Sequence, residues 1–538
     1  IYKKGGADII LFTNIQIKLA KSGFYKGLNR FITICSKAVI MTLVLWAAIS
    51  PDQALIVLNT ANDALLNRFN AYYVWVVSFF LVFCIGMAVI PSIGKLKLGK
   101  EHEKPEFSNL SWFSMMFSAG MGIGLMVFST AEPLWHFGDN PEVIKGNVEP
   151  YTRDAIQSAF RYAFLHYGLH PWGIYVVTGL SMAYFSYTHN LPLTVRSTLA
   201  PLLGKHLNGY IGHILDITAI ISTLLGVAVT IGYGVNQLVI GFSDITEFGW
   251  MMSSDENSAP TNTALIFILC IVMSLSTISA ATGVGRGIRY LSNLNLGLSC
   301  ILLLIFLIFG PLFFLLQLYI SGLIDYVITL PAISVAVFEI KTPLGDWQEN
   351  GTILYWAWWI AFAPFVGLFL ARISKGRTIR EFILGAMFAP TAVCFIWIVL
   401  LGGTAVNLEL YGTADGNIIG AAPSAQLFET LNMLLSGGMS KAVSILAVIL
   451  ILTFLITSAD SGVLVLNTIM AGGEKHTSIK HRIIWGLILT TVIGTLLIVG
   501  DGGLEALQNA MIIGALPFSM VMVLMCISVV KEVMNHRK

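Results

Sequence analysis

Long apolar runs separated by short polar links recur along the whole chain, beginning near Phe31, Tyr72, Ser111, Ile156, Tyr210, Ala264, Leu296, Thr352, Phe382, Ser440, Ile483 and Ala506. A helix needs about 20 predominantly apolar residues to cross a bilayer. The pattern therefore predicts an all-α membrane protein with twelve spans. Alternate links are basic: Lys95, Lys97, Lys100 and Lys104 after span 2, Arg196 and Lys205 after span 4, and Arg286 and Arg289 after span 6. The series continues with Arg372, Lys375, Arg377 and Arg380, then Lys475, Lys480 and Arg482, then Arg537 and Lys538. The other links are mostly acidic or polar, as with Asp244, Glu247, Asp255 and Glu256. The positive-inside rule then puts both termini in the cytoplasm, in agreement with an even number of spans.

Gly283–Leu294 is too polar to span and is predicted as an amphipathic helix on the cytoplasmic surface. The connection Gly322–Gly351 is expected outside, with room for another helix. Spans 3 and 8, five spans apart, each carry residues that disfavour a continuous helix. Gly120, Gly122 and Gly124 each cost roughly 1 kcal/mol relative to alanine, and Pro364 frees the carbonyl of Ile360. Interrupted helices at matching places in two halves point to a transporter's central site.

Composition narrows the class. The chain is 56% hydrophobic and 11% charged, against about 25% charged in a soluble domain, so most of its exterior faces lipid. A net charge of +2 leaves no basic stripe for nucleic acid. Cys35, Cys84, Cys270, Cys300, Cys394 and Cys526 lie in apolar stretches without metal-type spacing, which argues against a disulfide framework. The first residues show no cleavable signal pattern and are expected in the cytoplasm. No catalytic constellation can be assembled, so an enzyme is not expected.

The segment Gly120–Gly124, followed by Ala131, Glu132 and Pro133, reads GxGxG rather than GxGxxG and follows no strand, so it is not a dinucleotide loop. Either it unwinds, freeing carbonyls for a small cation and N–H groups for a carboxylate, or it is a small-residue packing face. Tyr167, Trp172 and Tyr175 on span 4 can share one helix face at about 100° per residue. They answer Tyr355, Trp356, Trp358, Trp359, Phe362 and Phe365 on span 8. Such clusters serve either as a cage for a trimethylammonium group, attracted to a ring face by about 0.5 to 2 kcal/mol, or as an interfacial belt. In span 10, Thr457 and Ser458 interrupt an aliphatic run, where hydroxyls complete an oxygen shell around Na+ or bond to their own helix. His166 and His170 are i,i+4 but lack a third ligand in the same segment, and are expected to be hydrogen-bonded structural histidines. Asp216, Asp460 and Glu132 are carboxylates at membrane depth or near it, candidates for function, capping or gating.

Four motifs, in order and spacing, carry a family resemblance: GMGIGLM (Gly120–Met126) with the following AEP, FLHYGLHPWGIY (Phe164–Tyr175), YWAWWIAFAPFVGLFLARISKGRTIREF (Tyr355–Phe382) and TSADSG (Thr457–Gly462). From about Ser111 onward the chain resembles the betaine/choline/carnitine transporter family. The resemblance implies a LeuT-like five-plus-five inverted repeat preceded by two extra helices, alternating access, and a homotrimer in the bacterial inner membrane. On that plan 1–30 is a cytoplasmic N-terminus, 31–110 holds the two extra helices and a loop, and 111–321 is the first repeat. An extracellular connection at 322–351, the second repeat at 352–530 and a short cytoplasmic tail at 531–538 follow. A tail that short is expected to give little osmotic regulation.

Carried over by motif, the quaternary ammonium sits among Trp172, Tyr175, Trp358 and Trp359, with Met121, Gly120, Gly122 and Gly124 beside the carboxylate. Tyr167 and Phe362 stand where the betaine-type pattern has tryptophan, which keeps a π face and changes the size of the cage. One sodium site takes Thr457 and Ser458 with carbonyls near Ala119 and Met121. A second would take Thr223 and Phe365, but Val227 stands where that site has a threonine and offers no oxygen. The implied function is import of a quaternary-ammonium zwitterion, glycine betaine or a related osmolyte, by Na+ symport without an organic cofactor. A proton-coupled choline carrier and a cation-independent betaine/carnitine exchanger are the alternatives. Choline-specific relatives resemble this segment but carry Asp at the last glycine of GxGxG, which here is Gly124.

Overall fold

The computed structural model describes residues 15–120, 122–246, 248–254, 259–282, 287–474, 477–499 and 504–535, the side chains of 117–120, 281–282 and 287–289 excepted. Apolar segments that cannot hand their amides to water fold as helices. Those that build the architecture are α1 (Arg30–Ile49), α2 (Pro51–Val89), α3 (Asn109–Gly120), α4 (Ile123–Gly138), α5 (Ala155–Tyr167), α6 (Leu169–Ala183), α7 (Tyr210–Thr246) and α8 (Asn262–Thr282). They continue with α9 (Gly287–Phe309), α10 (Leu312–Ile333), α11 (Leu354–Ile373), α12 (Ile379–Tyr411), α13 (Gln426–Leu434), α14 (Gly438–Met470), α15 (Ile479–Leu497) and α16 (Glu505–Asn535). Local chemistry sets several of the starts. Asn29 accepts the Ile32 amide at 3.0 Å ahead of α1, and Thr378 with Glu381 forms a reciprocal capping box at α12.

Among the described residues, eleven helices are long and apolar enough to cross a bilayer. Ten coincide with spans read from the sequence. The eleventh, α10, starts beyond Gly310 and Pro311 and occupies the end of the predicted span 7 and the beginning of the outer connection. Spans 3 and 4 are each two shorter helices. Span 3 breaks between α3 and α4, where Gly122 is extended at φ −169° and ψ −148°. Span 4 breaks at Gly168. A Cβ there would lie 2.4 Å from the Phe164 carbonyl oxygen and 2.5 Å from the Tyr326 hydroxyl, and that hydroxyl accepts the Leu169 amide at 3.0 Å. Only glycine fits so close an approach.

Two expectations differ from the structure. Span 8 is not interrupted at Pro364, since α11 runs through it. Its irregularity is a π turn at Glu349–Ile353 that joins a short helix, Pro343–Gln348, to α11. Proline removes one hydrogen bond, and the fully buried Ile360, Ala361 and Ala363 hold the helix together across the gap. The polar segment before span 7 is not a separate surface helix. Gly283–Arg286 lie outside the described residues, and from Gly287 onward the segment forms the first turns of α9. Its polarity faces inward, because Ser292 and Asn293 line the central cavity.

α11 packs against α6, α7 and α16, α7 against α14 and α16, and α4 against α12. Where α7 crosses α11, a Cβ on Gly226 would sit 3.0 Å from both Ala361 and Phe362, so the two helices meet at backbone distance. Two basic links meet at one end of the bundle: the Leu98 amide donates to the Arg377 carbonyl, and the Gly376 and Ile379 amides to the Leu98 and Leu96 carbonyls, all at 2.8 Å. The Arg377 guanidinium covers Trp112 of α3, 3.8 Å from the ring centroid. This is the end where α3 begins and α11 finishes.

Candidate functional site

A cavity of about 880 Å³ lies between these helices. Phe107, Leu110 and Ser111 before and at the start of α3, Asn293 of α9 and Phe369 near the end of α11 line its outer part. Tyr167, Tyr175, Trp358 and Trp359 line its inner part. Leu110 is 79% exposed, whereas Tyr167 and Tyr175 are 2% and 4% exposed. The rim therefore lies at the end where the basic links meet, and the aromatic end is closed.

Trp359 faces three rings. Tyr167 stands nearly perpendicular to it, with centroids 5.8 Å apart and planes at 83°. Tyr175 lies at 5.2 Å and 59°, and Trp172 at 6.0 Å and 56°. Trp172 is fully buried and edge-on to Tyr175 at 5.6 Å, so it backs the wall rather than lining it. Trp358 belongs to a neighbouring wall. Its Nε1 donates to Thr230 Oγ1 at 2.9 Å, and its ring packs against Tyr233 at 5.5 Å and Phe128 at 5.8 Å. Phe362 and Phe365, 5.6 Å apart, continue the aromatic surface toward the rim. Gly124 puts bare backbone between the walls: its carbonyl accepts the Tyr167 hydroxyl at 3.3 Å, and a Cβ would lie 3.6 Å from Trp358 and 3.8 Å from the Tyr167 oxygen.

Thr457, Ser458 and Ser461 bring hydroxyls to the same cavity. A Cβ on Gly122 would lie 3.8 Å from Ser458 Oγ, which puts α14 beside the break in span 3. Thr457 Oγ1 lies 3.0 Å from the carbonyls of both Thr453 and Phe454 and accepts Asn295 Nδ2 at 3.2 Å. Met121 lies outside the described residues, as does the side chain of Ala119, and Gly120 closes α3. The second hydroxyl set does not assemble. Thr223 is fully buried with its hydroxyl unpartnered and is not among the cavity residues, while the Val227 methyls approach Gly462.

A buried polar cluster closes the inner end. Glu132 Oε1 meets His136 Nε2 at 2.8 Å and His166 Nδ1 at 2.5 Å, and Glu132 Oε2 accepts the Tyr355 hydroxyl at 2.5 Å. His166 Nε2 pairs with Thr352 Oγ1 at 2.9 Å.

The family model for betaine/carnitine/choline family transporters matches residues 31–538. The chain belongs to that family. Relatives within it include the glycine betaine transporter OpuD of Bacillus subtilis, 38% identical over 93% of this chain and 94% of that one. A glycine betaine transporter of Acinetobacter baylyi is 37% identical over 95% of this chain and 74% of its own length. A glycine betaine/proline/choline/ectoine transporter of Vibrio parahaemolyticus is 34% identical over 98% and 91%. These relatives are named transporters, not enzymes, so this is a multi-pass membrane transporter with bacterial relatives. A solved complex of MhsT with L-phenylalanine aligns at 16% identity with a TM-score of 0.47, covering 78% of this chain and 89% of its own, a level that fixes neither topology nor coupling here.

Within this family member the remaining candidates separate. Asp216 is paired with Arg196 at 2.8 Å, both fully buried, and ties the link after α6 to α7. Asp460 accepts Ser279 Oγ at 2.8 Å, bracing α14 on α8. His170 departs from the expectation of a hydrogen-bonded histidine: neither ring nitrogen has a partner, and the ring stacks on Trp356 at 5.4 Å. Sequence reasoning missed His136, whose signal was its i,i+4 spacing from Glu132. It also missed Thr230 and Asn295, single polar residues in apolar runs whose partners come from distant helices.

Proposed function

We propose that this transporter imports a quaternary-ammonium zwitterion, glycine betaine or a close analogue, by Na+ symport with alternating access. The observation that carries this reading is Trp359 flanked by Tyr167, Tyr175 and Trp172 at the closed end of the cavity. A trimethylammonium group cannot donate a conventional hydrogen bond, but ring faces attract it. Gly122 and Gly124 at the start of α4 offer backbone N–H groups and the positive end of a helix to a carboxylate. A cation subsite beside an anion subsite suits a zwitterion. Thr457 and Ser458, next to the span 3 break, are the proposed Na+ ligands. On the same reading the rim is cytoplasmic, because basic links gather there, both termini are cytoplasmic, and the chain works as a homotrimer in the inner membrane. The test is a binding screen of glycine betaine, carnitine, proline betaine, dimethylsulfoniopropionate and choline on the purified protein, in Na+ and in K+. Stabilisation by zwitterions in Na+ alone is expected, and no response to any of them would refute the proposal.

Choline is the specific competitor, since the Vibrio relative's name includes it. Choline brings a cation with no carboxylate, so its charge must be balanced by the protein. Gly124 carries no charge, and a carboxylate placed there would repel a betaine carboxylate by about 1 to 4 kcal/mol at 4 Å. Choline is therefore expected to displace labelled betaine poorly from the wild type. Gly124→Asp, whose Cβ fits the space, is expected to impair betaine uptake and admit choline. If choline competes at equal concentration in the wild type, the charge-balance argument fails.

Val227→Thr should restore one oxygen beside Thr223. A hydrogen bond to a charged group contributes about 1.5 to 3 kcal/mol, so a steeper Na+ dependence or a roughly tenfold lower half-saturating Na+ concentration is expected. An unchanged sodium curve would remove this second site from the account.

A further inference from the structure

The cage does not use the cluster around Glu132, although it touches the cage directly. The Tyr355 ring stacks on His166 at 4.8 Å and 17° and stands edge-on to Tyr167 at 5.4 Å. Tyr355 lies one helical turn before Trp359 on α11, on the side away from the rim. Two neighbours meet His136 Nδ1: the Trp347 Nε1–H, which can only donate, at 3.3 Å and the Asp139 carbonyl oxygen at 3.5 Å. The Trp347 contact is the shorter of the two and favours a lone pair on His136 Nδ1, which puts the proton on Nε2, facing Glu132. His166 Nδ1 and the Tyr355 hydroxyl donate into the same carboxylate. A protonated acid would turn its own hydrogen against one of these three donors, so the cluster suits a carboxylate accepting through both oxygens.

The ligand atoms of Glu132, His136 and His166 all lie within 4.8 Å of one another, the spacing of a metal-ligand set. A metal on His136 Nε2 would require an N–H at Nδ1, which would suit the Asp139 carbonyl at 3.5 Å but oppose the nearer Trp347 N–H at 3.3 Å. The donor directions therefore favour a hydrogen-bonded brace.

We propose that Glu132 is a positioning residue whose carboxylate, by gathering donors from α4, α5 and α11, holds Tyr167 in the cage and keeps the cavity shut at the end away from its rim. This rests on the betaine reading of the cage. The histidines serve only as donors in this role, and neither carries a proton through the transport cycle.

The test pairs variants that keep a donor with variants that lose it. His136→Gln places an amide near Nε2 and His166→Asn places one near Nδ1, while His136→Leu and His166→Leu remove the donor. In proteoliposomes, the Gln and Asn variants should keep half-saturating betaine within about threefold of wild type, with the same pH profile. The Leu variants and Glu132→Gln should raise it about tenfold or more. If Glu132→Gln does not accumulate as folded protein, the paired histidine variants decide the matter. The proposal is overturned if the Gln and Asn variants are as impaired as the Leu variants or shift the pH profile, since the histidines would then move protons. It is also overturned if the purified wild type holds stoichiometric zinc by mass spectrometry, or if Glu132→Gln binds and transports like wild type. Its failure is separable from failure of the betaine reading: if Trp359→Ala weakens binding and Glu132→Gln does not, only the brace is lost.

Discussion

Replacing Trp359 with alanine is expected to weaken betaine binding at least about tenfold, with Trp359→Phe clearly milder. Trp359 is the ring on which Tyr167, Tyr175 and Trp172 converge, at 5.8, 5.2 and 6.0 Å. Each ring face contributes about 0.5 to 2 kcal/mol to a bound cation, toward the upper end when water is excluded. Losing the central face also loosens its neighbours, which lowers the attraction further. Phenylalanine keeps a π face, so an indole N–H requirement would show as equal damage by both substitutions. Trp172→Ala is a less clean test. Trp172 is fully buried behind the wall, so its removal leaves a cavity that costs about 3 to 5 kcal/mol of stability, and affinity and melting temperature should fall together. Titrating purified Trp359→Ala with betaine checks the prediction, and a wild-type dissociation constant would refute the cage.

Ser458→Ala and Thr457→Val are expected to raise the half-saturating Na+ concentration for uptake about tenfold to a hundredfold. Each removes one oxygen from a proposed shell whose other members are backbone groups. Thr457 Oγ1 still has a lone pair to offer, although its hydrogen is committed to its own helix at 3.0 Å. Ser458 Oγ faces the break in span 3, so Ser458→Ala should show the larger effect. The folded protein should lose little stability in Na+-free buffer, because neither side chain is fully buried. A sodium curve identical to wild type in both variants would show that these hydroxyls are not ligands.

How far the sequence could be read depended on whether a feature was local. The break in span 3 was legible because three glycines alternate over five residues, and the aromatic wall because Trp358 and Trp359 sit in the middle of an apolar run. The break in span 4 was hidden. Gly168 is a single glycine, and what makes it a corner is the hydroxyl of Tyr326, 158 residues away in the chain. Pro364 misled in the opposite sense, since tertiary packing carries α11 across the missing hydrogen bond. Ser292 and Asn293 read as a surface helix because polarity alone does not distinguish the lining of a cavity from a membrane face. The Glu132–His136 spacing was visible, but His166 and Tyr355 join it only through folding.

Na+-coupled accumulation of a betaine is read most directly from uptake of labelled glycine betaine by proteoliposomes holding the purified protein. A membrane potential of 100 mV, negative inside, supplies about 2.3 kcal/mol for each Na+ charge moved inward, enough to concentrate a neutral zwitterion well above its external level. Accumulation above equilibrium is expected with Na+ outside, none when K+ replaces it, and abolition by excess unlabelled betaine. Equal accumulation in K+, or uptake driven only by a proton gradient, would contradict Na+ coupling.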